Sequence, residues 1–124
     1  MSTLSALGQV ALLVSDIDAS EIFYRDALEL MPLFRYGEVS FFNCGGVRLM
    51  LQSGEPTHTP GNTICLYFRV ARIHVAMAEL KARGVAFEAQ PKLMARMPDH
   101  ELWMSFFRDP DGYQLALMEE RREP

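Results

Sequence analysis

The sequence predicts an α+β fold in which one strand–helix–hairpin unit is used twice. Two observations carry this. Gln9-Val10-Ala11-Leu12-Leu13-Val14 leads into a helix at Ser15-Asp16-Ile17-Asp18, and Cys65-Leu66-Tyr67-Phe68-Arg69-Val70 leads into another at Ala71-Arg72-Ile73-His74, an offset of 56 positions from Gln9 to Cys65. Each copy then closes on a glycine-turned hairpin, Gly45-Gly46 in the first and Asp111-Gly112 in the second. An internal repeat governs the fold before any single residue does.

In the first copy, Gln9 to Val14 is apolar enough for a buried strand. Asp16 or Asp18 suits the helix N-cap, because a carboxylate accepts the orphan N–H bonds of the first turn. Ile22, Phe23, Ala27 and Leu30 then recur at the spacing of one apolar helix face, and Pro32 stops the helix. Leu33 to Tyr36 reads as a short extended segment. Val39 to Cys44 and Val47 to Gln52 flank Gly45-Gly46, where two glycines permit the positive φ angles of a tight hairpin. Ser53 to Asn62, rich in Gly, Pro, Thr and Ser, reads as a linker.

The second copy repeats the plan: strand Thr63 to Val70, helix His74 to Arg83 with Gly84 as its stop, and strand Val85 to Gln90. Pro91 to His100 is expected to be a loop carrying Met94 and Met97. Leu102 to Arg108 and Tyr113 to Glu119 form the last hairpin around Asp109-Pro110-Asp111-Gly112, and the charged tail Glu120 to Pro124 is expected to fray. The 124 residues thus form a single domain, with modules 7–52 and 63–119 joined by linker 53–62.

Composition narrows the function classes. With 49% hydrophobic and 23% charged residues the chain is globular, and a net charge of −4 without a basic stripe argues against nucleic acid. No apolar run approaches the roughly 20 residues that cross a bilayer, so no membrane association is expected. Met1 to Gly8 lacks the blocks of a secretion signal, and Cys44 and Cys65 do not make a disulfide framework. A reduced, cytoplasmic location fits these features.

Phe23-Tyr24-Arg25-Asp26-Ala27-Leu28 in the first helix and Phe107-Arg108-Asp109-Pro110-Asp111-Gly112-Tyr113 at the last hairpin resemble the vicinal oxygen chelate superfamily. That group includes glyoxalase I, extradiol dioxygenases, methylmalonyl-CoA epimerase, fosfomycin-resistance enzymes and bleomycin-resistance proteins. The resemblance spans roughly residues 7–119. It implies two tandem βαβββ modules forming a curved mixed sheet around a concave pocket, and pairing as a homodimer. Where the family often places Gly after the Leu that ends the first helix, this chain has Glu29.

Alternation along the strands then assigns a face to each side chain. Val10, Leu12 and Val14 take the helix side, as do Leu66, Phe68 and Val70, and Leu49 and Leu51. Gln9, Ala11 and Leu13 point the other way, with Arg48, Met50 and Gln52, with Cys65, Tyr67 and Arg69, and with Gln114, Ala116 and Met118. The expected ligand pocket is therefore floored by Gln9, Met50, Cys65, Tyr67 and Ala116, with Arg48, Gln52 and Gln114 toward its edges. Trp103, next to the loop before it, is a candidate for stacking on a flat ligand or for filling the dimer seam or the core. Arg48 and Arg69 are candidates for gripping an anion, or for snorkelling outward. Met94, Met97 and Met104 suit an adaptable wall or plain gap filling.

In metal-using relatives one residue from each of four strands holds a divalent ion. The resemblance places those positions at Gln9, Met50, Cys65 and Ala116. Only Gln9 offers an oxygen; hard divalent ions take imidazole, carboxylate or water, and thioether suits them poorly. His58, His74 and His100 are scattered over linker, helix start and loop. The expected function is therefore a small-molecule-binding protein of the bleomycin-resistance kind, without a cofactor, for an apolar or aromatic ligand. The alternative is a divalent-metal-dependent lyase, isomerase or ring-cleaving dioxygenase acting on vicinal oxygens. Metal-free catalysis through Cys65, Tyr67 or His100 is a third possibility that no motif marks.

Overall fold

A computed structural model describes residues 3–56 and 65–122. The chain divides into two compact units, the first ending at Thr57 and the second beginning at His58. The first runs β1 (Gln9–Val14), α1 (Ile17–Ile22), β2 (Met31–Tyr36), β3 (Val39–Cys44) and β4 (Val47–Ser53). Its sheet order is β1-β4-β3-β2, with β1 parallel to β4 and the other pairs antiparallel. The second runs β5 (Leu66–Arg69), α2 (Ile73–Ala82), β6 (Lys92–Arg96), β7 (Glu101–Arg108) and β8 (Gln114–Arg121). Its order, β5-β8-β7-β6, repeats the first with the same strand directions. The fold is thus α+β, one βαβββ module used twice. No helix among the described residues is long and apolar enough to cross a membrane.

Each module buries one sheet face under its helix. Leu12, Val14, Phe42, Leu49 and Leu51 lie under Ile17 and Tyr24; Phe107, Leu115 and Leu117 lie under Ile73, Met77 and Leu80. Burying each such side chain contributes about 1.5–3 kcal/mol. Asp16 is the N-cap of α1, its Oδ1 accepting the N–H groups of Asp18 and Ala19 at 3.1 Å each. Gly45 and Gly46 both have positive φ, +60° and +94°, as a two-residue hairpin requires.

The buried face of the first helix differs from the expected one. Ile22 is exposed, while Ile17, Ser20 and Tyr24 are buried. The cause is a change of helical pitch: Phe23–Ala27 is a π-helical turn, and Leu28 N–H donates to the Phe23 carbonyl at 3.1 Å. The wider turn shifts the phase of every residue after Ile22, so a 3.6-residue period misplaces them. Pro32 is not the stop; it already lies in β2. The stop is Glu29, whose φ of +56° is the only positive value among the described non-glycine residues. A Cβ in this region costs about 1–2 kcal/mol, and glycine's extra freedom in the unfolded chain returns part of that. Glu29→Gly is therefore expected to stabilise the protein by about 1 kcal/mol in urea denaturation. A loss of stability would mean that the Glu29 side chain contributes more than its backbone strain costs.

The second module departs from expectation between its helix and its last hairpin. Val85–Gln90 is not a strand, and the supposed loop 91–100 contains β6. Val85 is buried, and Phe87 makes an isolated bridge to Phe107 with the two rings 5.0 Å apart. Their apolar character serves core packing rather than a ladder. In β6 the register shifts between Leu93 and Ala95, which sets Met94 out as the bulged residue. The tail is ordered further than expected: β8 pairs through Arg121, opposite Glu101. Linker residues 57–62 and the strand start at 63 and 64 lie outside the described residues.

Candidate functional site

The face of each sheet away from its helix carries the candidate residues. In the first module Gln9, Ala11 and Leu13 are exposed and stand beside Arg48, Met50 and Gln52 of β4. The side chains interlock: Arg48 Nε donates to Gln9 Oε1 at 3.0 Å, and Gln9 Nε2 lies 3.6 Å from the Met50 sulfur. Phe41 is opposite Met50 in β3, and the Arg48 guanidinium sits 5.5 Å from its ring centroid. Phe34 of β2 lies against Phe41 with centroids 4.5 Å apart. Phe34 and Phe41 thereby join the candidate residues, brought to this face by the β2–β3–β4 register.

In the second module Tyr67, Ala116 and Phe106 are register partners across three strands. Strands flanking a common neighbour are about 9.5 Å apart, yet the Tyr67 and Phe106 rings approach to 6.3 Å. They lean toward each other over Ala116, which is fully buried as a result. Ala116 therefore supplies neither a donor atom nor open surface. Gln114 is half-buried next to it. Cys65 and Tyr67 share a hydrogen bond; burial pushes the Cys65 thiol up, and Tyr67 is raised chiefly by that neighbour. The Cys65 thiol is thus a poor nucleophile. A cavity of about 230 Å³ opens nearby, lined by Glu88, Lys92, Met94, Met104 and Phe106 among others.

Trp103 does not belong to this face. Its partner across the ladder is Glu119, which with Leu115 and Leu117 points toward α2. There the indole lies 6.0 Å from the His74 ring, Arg121 stacks on it at 4.5 Å, and Nε1 donates to Glu101 at 3.2 Å. Strand alternation puts Trp103 opposite to Met104 and Phe106, so it packs the helix side instead of stacking on a ligand. Arg69 is exposed at the end of β5, 3.8 Å from Glu120.

The residues at the positions that the resemblance assigns to a metal, Gln9 and Met50 in one module and Cys65 and Ala116 in the other, do not fit a hard divalent cation. The one oxygen ligand, Gln9 Oε1, already accepts from a guanidinium, whose charge would repel an incoming ion. Met50 offers a soft thioether, Cys65 a soft thiol and Ala116 nothing. Among the described residues no three His, Cys, Asp or Glu side chains come together as a ligand group. His74 packs on Trp103 and His100 bonds Asp99 at 2.8 Å, while His58 lies outside the described residues.

The family model of the Glyoxalase/Bleomycin resistance protein/Dioxygenase superfamily matches residues 6–117, and the chain belongs to that superfamily. Among solved structures it is similar to a lactoylglutathione lyase from Agrobacterium tumefaciens, at 25% identity over 94% of each chain with a TM-score of 0.71. A superfamily member from Sphaerobacter thermophilus matches at 22% identity, covering 96% of this chain and 100% of that one with a TM-score of 0.76. One from Nocardioides matches at 20% identity over 100% and 89%, also with a TM-score of 0.76. The last two likenesses carry the fold alone.

Proposed function

We propose that this chain is a small-molecule-binding protein that works without a metal and takes an apolar or aromatic ligand on its open sheet surface, as a cytoplasmic homodimer. The observation that supports this most is the replacement of an ion-holding set by Gln9, Met50, Cys65 and Ala116, with the Gln9 oxygen committed to Arg48. In the first module Phe34, Phe41 and Met50 give apolar contact area beside the polar handles Gln9 and Gln52; in the second module, taken by itself, Tyr67 gives contact area and Gln114 a polar handle. The similarity to a lactoylglutathione lyase favours a second reading, a metal-dependent lyase, isomerase or dioxygenase. That function needs ligands which Met50 and Ala116 do not provide.

One experiment separates the two. Protein purified without added metal is expected to contain less than stoichiometric Zn, Mn, Fe or Ni by elemental analysis. After EDTA treatment it is expected still to bind the neutral probe 2-naphthamide, seen as a shift of the Met50 methyl signal in ¹³C-methionine spectra. A stoichiometric ion, or binding abolished by EDTA and restored by one metal, would move the assignment to the enzyme.

A further inference from the structure

The ligand of such a protein has a definable chemistry, and Arg48 supplies it. Arg35, Arg96, Arg108 and Arg121 each lie within 4.0 Å of a carboxylate. Arg48 instead meets an amide oxygen and an aromatic ring, and among the described residues it has no carboxylate partner. A guanidinium on an open sheet face usually rotates freely among water and counter-ions. This one has two neighbours that hold it: its Nε donates to the Gln9 amide oxygen, and the Phe41 ring centroid lies 5.5 Å from its central carbon, while the nitrogen end of the Gln9 amide is 3.6 Å from the Met50 sulfur.

Because Nε is committed to Gln9, the two terminal nitrogens remain as a parallel pair of donors, the geometry that matches both oxygens of a carboxylate. Part of the rotamer entropy that an anion would otherwise have to remove is already lost in the free protein. Beside the fork stand Phe41 and Phe34, with Phe34 half exposed, and the adaptable thioether of Met50. A charged fork next to an aromatic pair fits a molecule with an anionic head and a flat apolar body.

We propose that Arg48, positioned by Gln9, is the anion anchor of this protein, and that its ligand is a planar aromatic acid whose carboxylate pairs with the guanidinium while its ring covers Phe34, Phe41 and Met50. The proposal rests on the ligand-binding function above. It gives Gln9 a definite task as a positioning residue: its oxygen aims a fixed organic cation instead of coordinating an inorganic one.

The test compares two probes of the same shape, 2-naphthoate and 2-naphthamide, titrated into the full-length protein and followed at the Met50 methyl, assigned by Met50→Leu. The acid is expected to bind about tenfold more tightly than the amide. In Arg48→Met that ratio is expected to fall to within about twofold of unity, and Arg48→Lys to restore part of it as a point charge without the fork. Gln9→Ala, which frees the guanidinium, is expected to lower the ratio about threefold while the amide's affinity changes less. A wild-type ratio near unity, or a preference that survives Arg48→Met, overturns the anchor while leaving an aromatic-binding surface in place. If neither probe moves the Met50 methyl, the anchor and the binding function fail together.

Discussion

Glu119→Ala is expected to remove about 3 kcal/mol of folding stability and to lower the melting temperature by about 10 °C. Helix α2 has no N-cap of its own: Arg72 occupies that position and makes no capping hydrogen bond with its side chain. The orphan N–H of Ile73 is instead satisfied by Glu119 Oε1, reaching in from β8 at 2.8 Å, 46 positions away in sequence. Glu119 is 6% exposed, and its second oxygen accepts from Arg121 Nε at 2.8 Å. Truncation therefore removes the partner of a buried N–H and takes from Arg121, which stacks on Trp103, its hydrogen-bonded counter-charge, leaving Glu101 as the other acid that acts on it. Glu119→Gln retains an acceptor for Ile73 but loses the charge, so an intermediate loss of about 1–2 kcal/mol is expected.

The same carboxylate gives the stability a pH dependence of definite sign. Its hydrogen bond to Arg121 holds Glu119 below the usual glutamate range; burial opposes this, and the Ile73 N–H adds to it. A carboxylate depressed in the folded state contributes its stabilisation fully above the unfolded value, about 4.3, and loses it as pH falls through the lower folded value. Urea midpoints are therefore expected to drop below about pH 4.3 more steeply in the wild type than in Glu119→Gln, where that contribution is absent. Parallel curves for the two proteins would place the acid sensitivity elsewhere.

The two helix caps show what a sequence displays and what it hides. Asp16 sits just before α1 and bonds within three residues, so its role is visible in a short window. Glu119 performs a comparable task for α2 from a distant strand, and only the packed module reveals it. The duplicated strand–helix–hairpin plan and the strand faces were legible because alternation and the glycine turns are local. Alternation along β7 leaves two choices for Trp103, and the β7–β8 register, with Arg108 opposite Gln114 and Trp103 opposite Glu119, selects the helix side over the ligand face. Phe41 could have been found. A two-residue Gly45-Gly46 turn makes Cys44 face Val47, and counting back pairs Asn43 with Arg48 and Phe41 with Met50. The π-helical turn over Phe23–Ala27 has no such signal in the chain; within it Tyr24 is buried, its ring 6.3 Å from that of Phe42.

Asp109→Ala is expected to cost about 3 kcal/mol, and the reason lies in the most distinctive motif of the chain. Asp109 is 6% exposed, and its Oδ1 accepts two backbone N–H groups, of Asp111 and of Tyr113, each at 2.9 Å. Its own backbone closes the same turn, N–H donating to the Tyr113 carbonyl at 3.1 Å and the carbonyl accepting from Gly112 at 2.9 Å. The side chain is therefore a bracket that fixes how β7 re-enters as β8. Removing it takes the carboxylate partner away from the buried Tyr113 N–H, whereas Asp109→Asn keeps one acceptor and is expected to lose only about 1 kcal/mol. Register is what this bracket protects: Arg108 opposite Gln114 places Phe106 opposite Ala116, and a slip of one residue would turn Phe106 toward the core and Phe107 toward solvent. Hydrogen exchange is expected to quicken at the Asp111 and Tyr113 amides in Asp109→Ala before it quickens in β5. If the Asp109→Ala loss stays within about 0.5 kcal/mol, the size of an ordinary surface substitution, the turn is held by Pro110 and Gly112 and the aspartate is incidental to it.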